Sequence, residues 1–285
     1  MIASMGLALH NELFELAEAV PPLPSTVTRL AAIISDSDSE LEDVTSVLRE
    51  DPLLVASLLR ESNSATSAPA SAIATIDAAI MRLGMARVLA VATAAGAPAQ
   101  TQTELTSYEM SSGQLWEHSI RSSYVAEAIY RMNRSLCGPE VVTASLLHDV
   151  GKMLLDQALD PVYFREARSC HLQTTDAERE LVDVDHAEIG AILLELWDIP
   201  QSIVDTVRFH HKPENCESLM AHVVFIADFV THDLFDSVPK HVQRNHGRYH
   251  QSLTVLGLDN NGVLDQAKKL LIDVGHMDEA AAGMT

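Results

Sequence analysis

Histidine and aspartate residues recur through the second half of this 285-residue chain at positions that could share one chemistry. They are His118, the pair His148-Asp149, His186, the pair His210-His211, and Asp228. Imidazole nitrogens and carboxylate oxygens together suit divalent ions such as iron, manganese or zinc. Five histidines and two aspartates exceed what one ion needs, so Asp149 could bridge two ions. A two-metal centre would indicate phosphoester chemistry.

Two of these positions stand in distinctive surroundings. In ASLLHDVGKMLL an apolar helix runs directly into His148-Asp149, and the change of chain direction there could place two ligands on one ion. Gly151 would permit the turn, and Lys152 could hold an anionic phosphoryl oxygen. Asp228 lies within the apolar run HVVFIADFVTHDLF, where a carboxylate needs a metal, arginine or histidine partner. Taken singly, each histidine is more typical of a core or capping residue, but the ordered set favours a site.

The elements that must position these residues are predicted to be helices. Aromatic residues make up only 5% of the chain, and apolar spacing is helical nearly throughout. Ser25 or Thr26 could cap an early helix, Asp51-Pro52 is typical of an N-cap followed by proline, and a last helix is expected near Val263 to Ile272. The Thr/Ser/Gln-rich stretch 98–113 is the best candidate boundary. We therefore expect units 1–105, 106–235 and 236–285, with the first two packed together.

Charge and hydropathy exclude some function classes. The formal net charge of −21 disfavours general binding to nucleic acid or to an anionic membrane. The first twenty residues lack a basic segment, so we expect no signal peptide. The longest low-charge run, residues 88–102, is too short to span a bilayer. These observations predict a cytoplasmic protein.

The motifs also resemble a known family. The order His, His-Asp, His, His-His, Asp is similar to that of the HD-superfamily phosphohydrolases, specifically their HD-GYP and HDOD branches. The segments EDPLLVASLLRESNSA and ATIDAAIMRLGMARVLAV resemble the N-terminal helical half of an HDOD domain, and WDIP and HHKPE extend the likeness over roughly residues 10 to 235. The resemblance implies an all-α signalling module, with an N-terminal helical half packed on an HD-type half. Beyond the region of resemblance, the predicted last helix makes the 236–285 unit a C-terminal helical extension.

The resemblance further implies a ligand assignment. One ion would take His118, His148, Asp149 and Asp228, and a second would take His186, His210 and His211 with Asp149 shared. The expected cofactor is a pair of divalent ions, iron or manganese in preference to zinc or nickel. Trinuclear relatives add a glutamate one turn before the first histidine, where this chain has Gln114. After His211 the chain reads KPENCESL and lacks the Gly-Tyr-Pro loop, so cyclic-di-GMP hydrolysis is not implied.

Three functions remain open from the sequence. The first is a bacterial signal-output protein that acts through contacts with a partner protein, its metal site being structural or vestigial. The second is a metal-dependent phosphohydrolase acting on a nucleotide or other phosphoester, with Asp149 bridging the ions and Lys152 balancing the developing charge. In that case the N-terminal half could cover the site. The third is a di-iron protein with redox or oxygen-binding activity.

Overall fold

Helices form nearly all of the regular structure of this protein. The computed structural model describes residues 13–64 (without 14 and 37), 73–97, 103–170, 173–235 and 245–278. Within these ranges the structure has no β-strand, and the only β-type pairing is an isolated antiparallel bridge between Leu105 and Met110. The prediction of an all-α fold is confirmed. The start of the predicted 1–105 unit, and residues 236–244 and 279–285 of the predicted extension, lie outside the described residues.

The helices fall into two sequential groups followed by a C-terminal pair. The first group is α1 (Ser25–Ser35), α2 (Leu41–Arg49), α3 (Pro52–Ser62), α4 (Ile76–Leu83) and α5 (Met85–Gly96). The second group is α6 (Gln114–Met132), α7 (Val141–Leu147), α8 (Lys152–Ala158), α9 (Pro161–Cys170), α10 (Thr174–Val182), α11 (His186–Leu196), α12 (Gln201–Phe209) and α13 (Met220–Phe235). A 3-10 turn (Pro213–Asn215) precedes α13, and α14 (His246–Leu256) and α15 (Asn260–Asp273) complete the described chain. The last helix is therefore slightly longer than the predicted Val263 to Ile272.

Apolar stripes hold the first group together. In α1 the spacing of Val27, Leu30 and Ile34 places all three on one buried face, and α1 and α3 both pack against α5. Gly84 separates α4 from α5 with a φ of +77°, which suits a residue without a Cβ. The first group is thus assembled mainly by burial of aliphatic side chains.

The sequence predicted N-caps for two helices of this group, and the structure confirms the one for α3 but not the one for α1. The Asp51 carboxylate accepts hydrogen bonds from the backbone N–H groups of Leu53 and Leu54, which confirms the predicted N-cap before Pro52. The prediction that Ser25 or Thr26 caps α1 is wrong, because the cap residue is Pro24 and no side chain caps this end. The Thr26 hydroxyl instead donates to the Asp51 carboxylate at 3.2 Å.

Helix α6 is the 19-residue element around which the second group is arranged. It packs against α7, α13 and α15, while α5 of the first group packs on α7. Its buried side chains include small ones, such as Ser119, Ser122 and Ala126, that allow these neighbours to approach closely. The resulting arrangement brings α6, α7 and α13 together, and these are the elements that carry or precede four of the predicted ligands.

Close approach of α8 to α11 depends on Gly151. Residues 148–151 form the predicted turn between α7 and α8, but Gly151 has ordinary helical angles (φ −65°, ψ −22°), so the turn does not require the conformational freedom of glycine. A Cβ at this position would lie only 2.0 Å from the carbonyl oxygen of His186 and 2.7 Å from the backbone nitrogen of Gly190. Gly151 is therefore needed because the first turn of α11 presses against the backbone that follows Asp149.

Helix length and apolar character bear on whether the described part of the chain could cross a membrane. None of its helices taken singly is long and apolar enough to span a bilayer. The pair α4 and α5 meets those criteria only in combination, and its two helices are bent by 112° with respect to each other.

Candidate metal centre

Helix ends supply most of the sequence-predicted ligands. His148 follows the last residue of α7, His186 is the first residue of α11, and His210 follows the last residue of α12. These positions agree with the predicted helix boundaries around each motif. His118 and Asp228 lie instead within α6 and α13, two helices that pack against each other. The ligands thus converge because several helix ends point towards the α6–α13 contact.

The first cluster is formed by His118, His148, Asp149 and Asp228. The Asp228 Oδ1 atom lies 3.0 Å from His118 Nε2 and 3.5 Å from His148 Nε2. The Asp149 Oδ2 atom lies 3.4 Å from His148 Nε2 and 3.8 Å from His118 Nε2. His148 is fully buried, and the Asp228 side chain is 13% exposed. Each of the two carboxylates therefore lies within hydrogen-bond or ion-pair distance of both imidazoles.

The second cluster is formed by His186, His210 and His211. One ring nitrogen from each can be chosen so that all three lie within 4.8 Å of one another. The Nε2 atoms of His186 and His211 are only 2.8 Å apart. His186 and His210 are buried and His211 is half-buried. Three imidazoles at these separations could supply the nitrogen ligands of one further ion.

Asp149 lies between the two clusters. Its Oδ2 atom faces the first cluster, and its Oδ1 atom lies 3.2 Å from His186 Nε2 in the second. The side chain is 1% exposed. The seven residues singled out from the sequence are therefore brought together into one continuous group, with a carboxylate oriented as a bridging ligand would be.

The hydrogen bonds of the imidazoles test whether a metal fits here. The Nδ1 atoms of His148 and His210 lie 2.7 Å and 2.6 Å from the carbonyl oxygens of Ser145 and Val207. A carbonyl only accepts, so both Nδ1 atoms carry a proton, and in the neutral imidazole the Nε2 atom then keeps a lone pair. Those two Nε2 atoms are buried and have no hydrogen-bond partner. Buried lone pairs without a donor, facing carboxylates, are what a divalent cation would satisfy.

His186 is oriented by a residue that the sequence analysis missed. The fully buried Glu178 of α10 lies 2.8 Å from His186 Nδ1 and also accepts from the His186 backbone N–H. The Tyr108 hydroxyl donates to the same carboxylate at 2.7 Å. Such a carboxylate behind a ligating imidazole fixes its tautomer and raises its basicity. Nothing in the acidic helix around Glu178 distinguishes this residue, because its partner is set by how α10 packs.

A second missed residue is His232. It lies on α13 one turn after Asp228, with Nε2 3.2 Å from Asp228 Oδ1 and its ring centroid 4.4 Å from that of His118. Together with His118 and Asp228 it forms a third possible ligand group. The i, i+4 spacing of Asp228 and His232 was a sequence signal that could have found it.

Lys152 is buried among the predicted metal ligands. Its Nζ atom donates to Asp149 Oδ2 at 2.6 Å, and the residue is buried. Burial alone would lower the pKa of Lys152, but the charges of Asp149 and Asp228 raise it above its usual value. The lysine therefore stays positive and is paired with Asp149, where the sequence predicted a contact to a phosphoryl oxygen.

Neighbouring groups lower the pKa of Asp149 and Asp228 against the effect of burial, whereas burial itself lowers the pKa of His118, His210 and His211. Burial would raise the pKa of Asp149, but its interactions with the His148 ring, the Lys152 ammonium and the His186 ring hold it well below its usual range. Burial, together with the neighbouring His148 and His186 rings, lowers the pKa of His210 to about 3. Burial opposes protonation of His186 too, yet the charge of Glu178 and a hydrogen bond to Asp149 raise its pKa to about 10. A cation bound at this position would displace that proton.

A cavity of about 370 Å³ reaches His118 from outside. It is lined by the loop from Met110 to Gly113, the first turns of α6 including Arg121, and Thr231 and Phe235 of α13. The Arg121 guanidinium stacks on the Phe235 ring at 4.1 Å. Among the described residues, none of those lining this cavity belongs to the first helix group. The expectation that the N-terminal half could cover the site receives no support from this cavity.

A known protein family matches most of the chain. The HDOD domain family matches residues 20–213, about two thirds of the sequence. The chain belongs to the HDOD family. This confirms the resemblance drawn from the sequence motifs.

The curated relatives include an uncharacterised protein and an enzyme. An uncharacterised protein of Treponema pallidum (strain Nichols) is 28% identical over 247 residues, which cover 79% of this chain and 46% of that protein. A ribonuclease Y of Thermus thermophilus is 35% identical over 97 residues, 33% of this chain and 17% of the enzyme. The chain thus spans less than half the length of these curated relatives.

Solved structures share the fold over nearly the whole chain. A Shewanella amazonensis SB2B protein ascribed a phosphohydrolase function is similar with a TM-score of 0.63 and 24% identity, covering 95% of each chain. A Marinobacter aquaeolei VT8 protein ascribed a role in signal transduction is similar with a TM-score of 0.69 and 20% identity, covering 99% of this chain and 66% of that one. At these identities the likeness establishes the fold.

Proposed function

We propose that this HDOD protein is a signal-output protein whose second helix group binds two divalent ions. The observation that carries the proposal is the pair of buried His148 and His210 Nε2 atoms, which have no hydrogen-bond partner while each Nδ1 donates to a backbone carbonyl. Leaving such groups unsatisfied in a protein interior costs about 1–3 kcal/mol each, so their placement around Asp149 favours bound cations.

The distances support the ligand sets that the family resemblance implies. His118, His148, Asp149 and Asp228 would hold one ion, and His186, His210 and His211 would hold the other with Asp149 shared. A site of nitrogen and carboxylate ligands suits iron or manganese. Glu178 orients His186, and Lys152 offsets the negative charge of Asp149. Through these contacts the centre would tie α6, α7, α11, α12 and α13 into one unit that can change its stability or surface when the ions bind.

Metal content tests this proposal directly. Protein purified gently and without chelators should contain between one and two transition-metal ions per chain by elemental analysis. Asp149→Ala removes a ligand from both clusters and should abolish most of that content. Asp265→Ala, at an exposed aspartate of α15, is the matched control and should leave it unchanged. Wild-type protein without metal after purification and after addition of manganese or iron would contradict the proposal.

A second candidate function is hydrolysis of a phosphoester, and the cavity beside His118 favours it. Two divalent ions at this centre would supply Lewis-acid chemistry at a phosphoryl group. The cavity leads from the surface to His118, and Arg121 on its wall, which is ion-paired with Glu117, carries further N–H groups that could pair with a phosphate oxygen. The likeness to ribonuclease Y supports a phosphodiester as the substrate class.

Hydrolysis is tested with a generic substrate. Manganese-loaded protein should cleave bis(p-nitrophenyl) phosphate, and Asp149→Ala should reduce the rate to background while Asp265→Ala does not. Cleavage that survives the Asp149→Ala substitution would come from a contaminant and would reject the catalytic assignment. Metal binding without any cleavage would favour the signal-output proposal alone.

A further inference from the structure

His232 faces the outer side of the first ligand cluster. Its side chain is 31% exposed, compared with 13% for Asp228 and 7% for His118. Because Asp228 and His232 are four residues apart on α13, both project from the same face of that helix. A histidine and a carboxylate at this spacing can present two donor atoms to one point from a single rigid element.

The separations between the donor atoms match those around one ion. Ligands bound at about 2.1 Å lie roughly 3.0 Å apart when they are at right angles and about 3.4 Å apart in a tetrahedral site. The Asp228 Oδ1 atom is 3.0 Å from His118 Nε2, 3.2 Å from His232 Nε2 and 3.5 Å from His148 Nε2. Relative to Asp228 Oδ1, His232 Nε2 therefore lies at a distance between those of the two histidines that the sequence singled out.

The number of lone pairs limits how these ligands can be shared. His118 belongs both to the group with His148 and Asp149 and to the group with Asp228 and His232. A neutral imidazole has one ring nitrogen with a lone pair, so His118 can bind only one ion at a time. The two overlapping groups therefore cannot hold two ions through His118 at once, whereas one ion beside His118 could draw ligands from both groups.

We infer that His232 is an additional ligand of the ion held by His118, which would then have five protein ligands. This inference rests on the metal centre proposed above and specifies its outer half. Three imidazole nitrogens and two carboxylates exceed the four tetrahedral ligands that structural zinc sites use. The set instead suits an ion with five or six ligands, such as manganese(II) or iron(II).

The competing account is an ion pair in which a protonated His232 donates to Asp228. The His232→Glu substitution separates the two accounts. If residue 232 is a ligand, the introduced carboxylate offers an oxygen to the metal and should largely restore binding. If it is only the ion-pair partner of Asp228, the substitution would place two negative charges side by side and should be worse than alanine.

Cobalt(II) titration followed by visible absorbance is a suitable test, since it reports on binding without requiring any activity. Wild type should bind two ions in two steps. In His232→Ala one step should weaken by about tenfold or more, because loss of even a hydrogen-bond partner of a ligand weakens metal sites by about 10–100-fold. The other step should be unchanged. His232→Glu should recover most of the affinity, and His250→Ala, an exposed histidine of α14, should resemble wild type.

The outcomes distinguish this inference from the proposal beneath it. Failure of the wild type to bind cobalt would overturn both. Normal wild-type binding with an unchanged His232→Ala isotherm would overturn only the role of His232, as would a His232→Glu variant that binds no better than His232→Ala. Circular dichroism and thermal unfolding of each variant in chelator confirm that the comparison is between folded proteins.

Discussion

The two helix groups bury different kinds of side chain. The first group buries mostly aliphatic residues, and its buried polar residues are few, namely Thr45, Ser62, Arg87 and Thr93 among those described. The second group buries ionisable residues at its centre, including His148, Asp149, Lys152, Glu178, His186 and His210. Burial of aliphatic surface stabilises a fold, whereas burial of charged groups costs free energy unless each is paired. The contrast indicates that the second group is built around a ligand.

Arg87 lies where the two groups meet. Its guanidinium stacks on the Tyr124 ring at 3.4 Å, and its NH1 group donates to Ser123 at 3.2 Å. The Tyr124 hydroxyl in turn donates to Glu61 of α3 at 2.8 Å. These contacts, together with the packing of α5 on α7, join an apolar group to a polar one. The effects of removing metal from the second group can therefore be compared with the effects of substitutions in the first group, which contains none of the proposed ligands.

Removal of metal should have the largest effect and should act on the second group alone. A ligand at 100 to 1,000 times its dissociation constant stabilises the folded state by about 3 to 4 kcal/mol. Two ions held by buried residues should together raise the unfolding temperature clearly above that measured with a chelator. Thermal unfolding with excess manganese or with EDTA measures this shift. Equal unfolding midpoints with manganese and with EDTA would contradict the claim that bound metal stabilises the second group.

Truncation in the first group should destabilise the protein and spare the metal. Leu30 is fully buried in α1, and Leu30→Ala should cost about 2–5 kcal/mol in the free energy of unfolding because it leaves a cavity. Urea denaturation measures this cost. Leu53→Ala is the matched control, since Leu53 is 79% exposed and its change should stay within about 0.5 kcal/mol. Metal content should be the same in both variants, and its loss in Leu30→Ala would mean that the two groups are not separable.

Substitution of Glu178 should have a smaller and more local effect. Glu178→Gln removes the charge behind His186 while keeping the shape of the side chain. Metal affinity of the second cluster should fall by about 10–100-fold, since outer partners of ligating histidines contribute that much. Titration with manganese or cobalt after EDTA treatment measures the change. An unaltered isotherm would show that Glu178 serves only to satisfy Tyr108 and the His186 backbone.

Much of the site could be predicted because its residues carry local signals. The pairs His148-Asp149 and His210-His211 follow apolar helices, and His186 begins one, so helix ends and unusual residue types mark them together. An all-α fold follows from the same periodicity. These features are readable because each depends on a short stretch of chain.

The remainder depends on contacts between distant segments. Tyr108 lies 70 positions before Glu178, within a stretch whose composition indicated only a boundary. The function of Gly151 depends on the approach of α11, which its own neighbours do not reveal. His232 is the exception, because its spacing from Asp228 was visible and only its meaning required the position of His118. Residues that orient ligands are thus harder to predict than the ligands themselves.

Anomalous scattering from crystals grown with manganese would test the central claim most directly. We expect two peaks, one among His118, His148 and Asp228 and the other among His186, His210 and His211, with Asp149 between them. No peak in this group, or peaks only at surface residues elsewhere, would contradict the assignment of a metal centre to the second helix group.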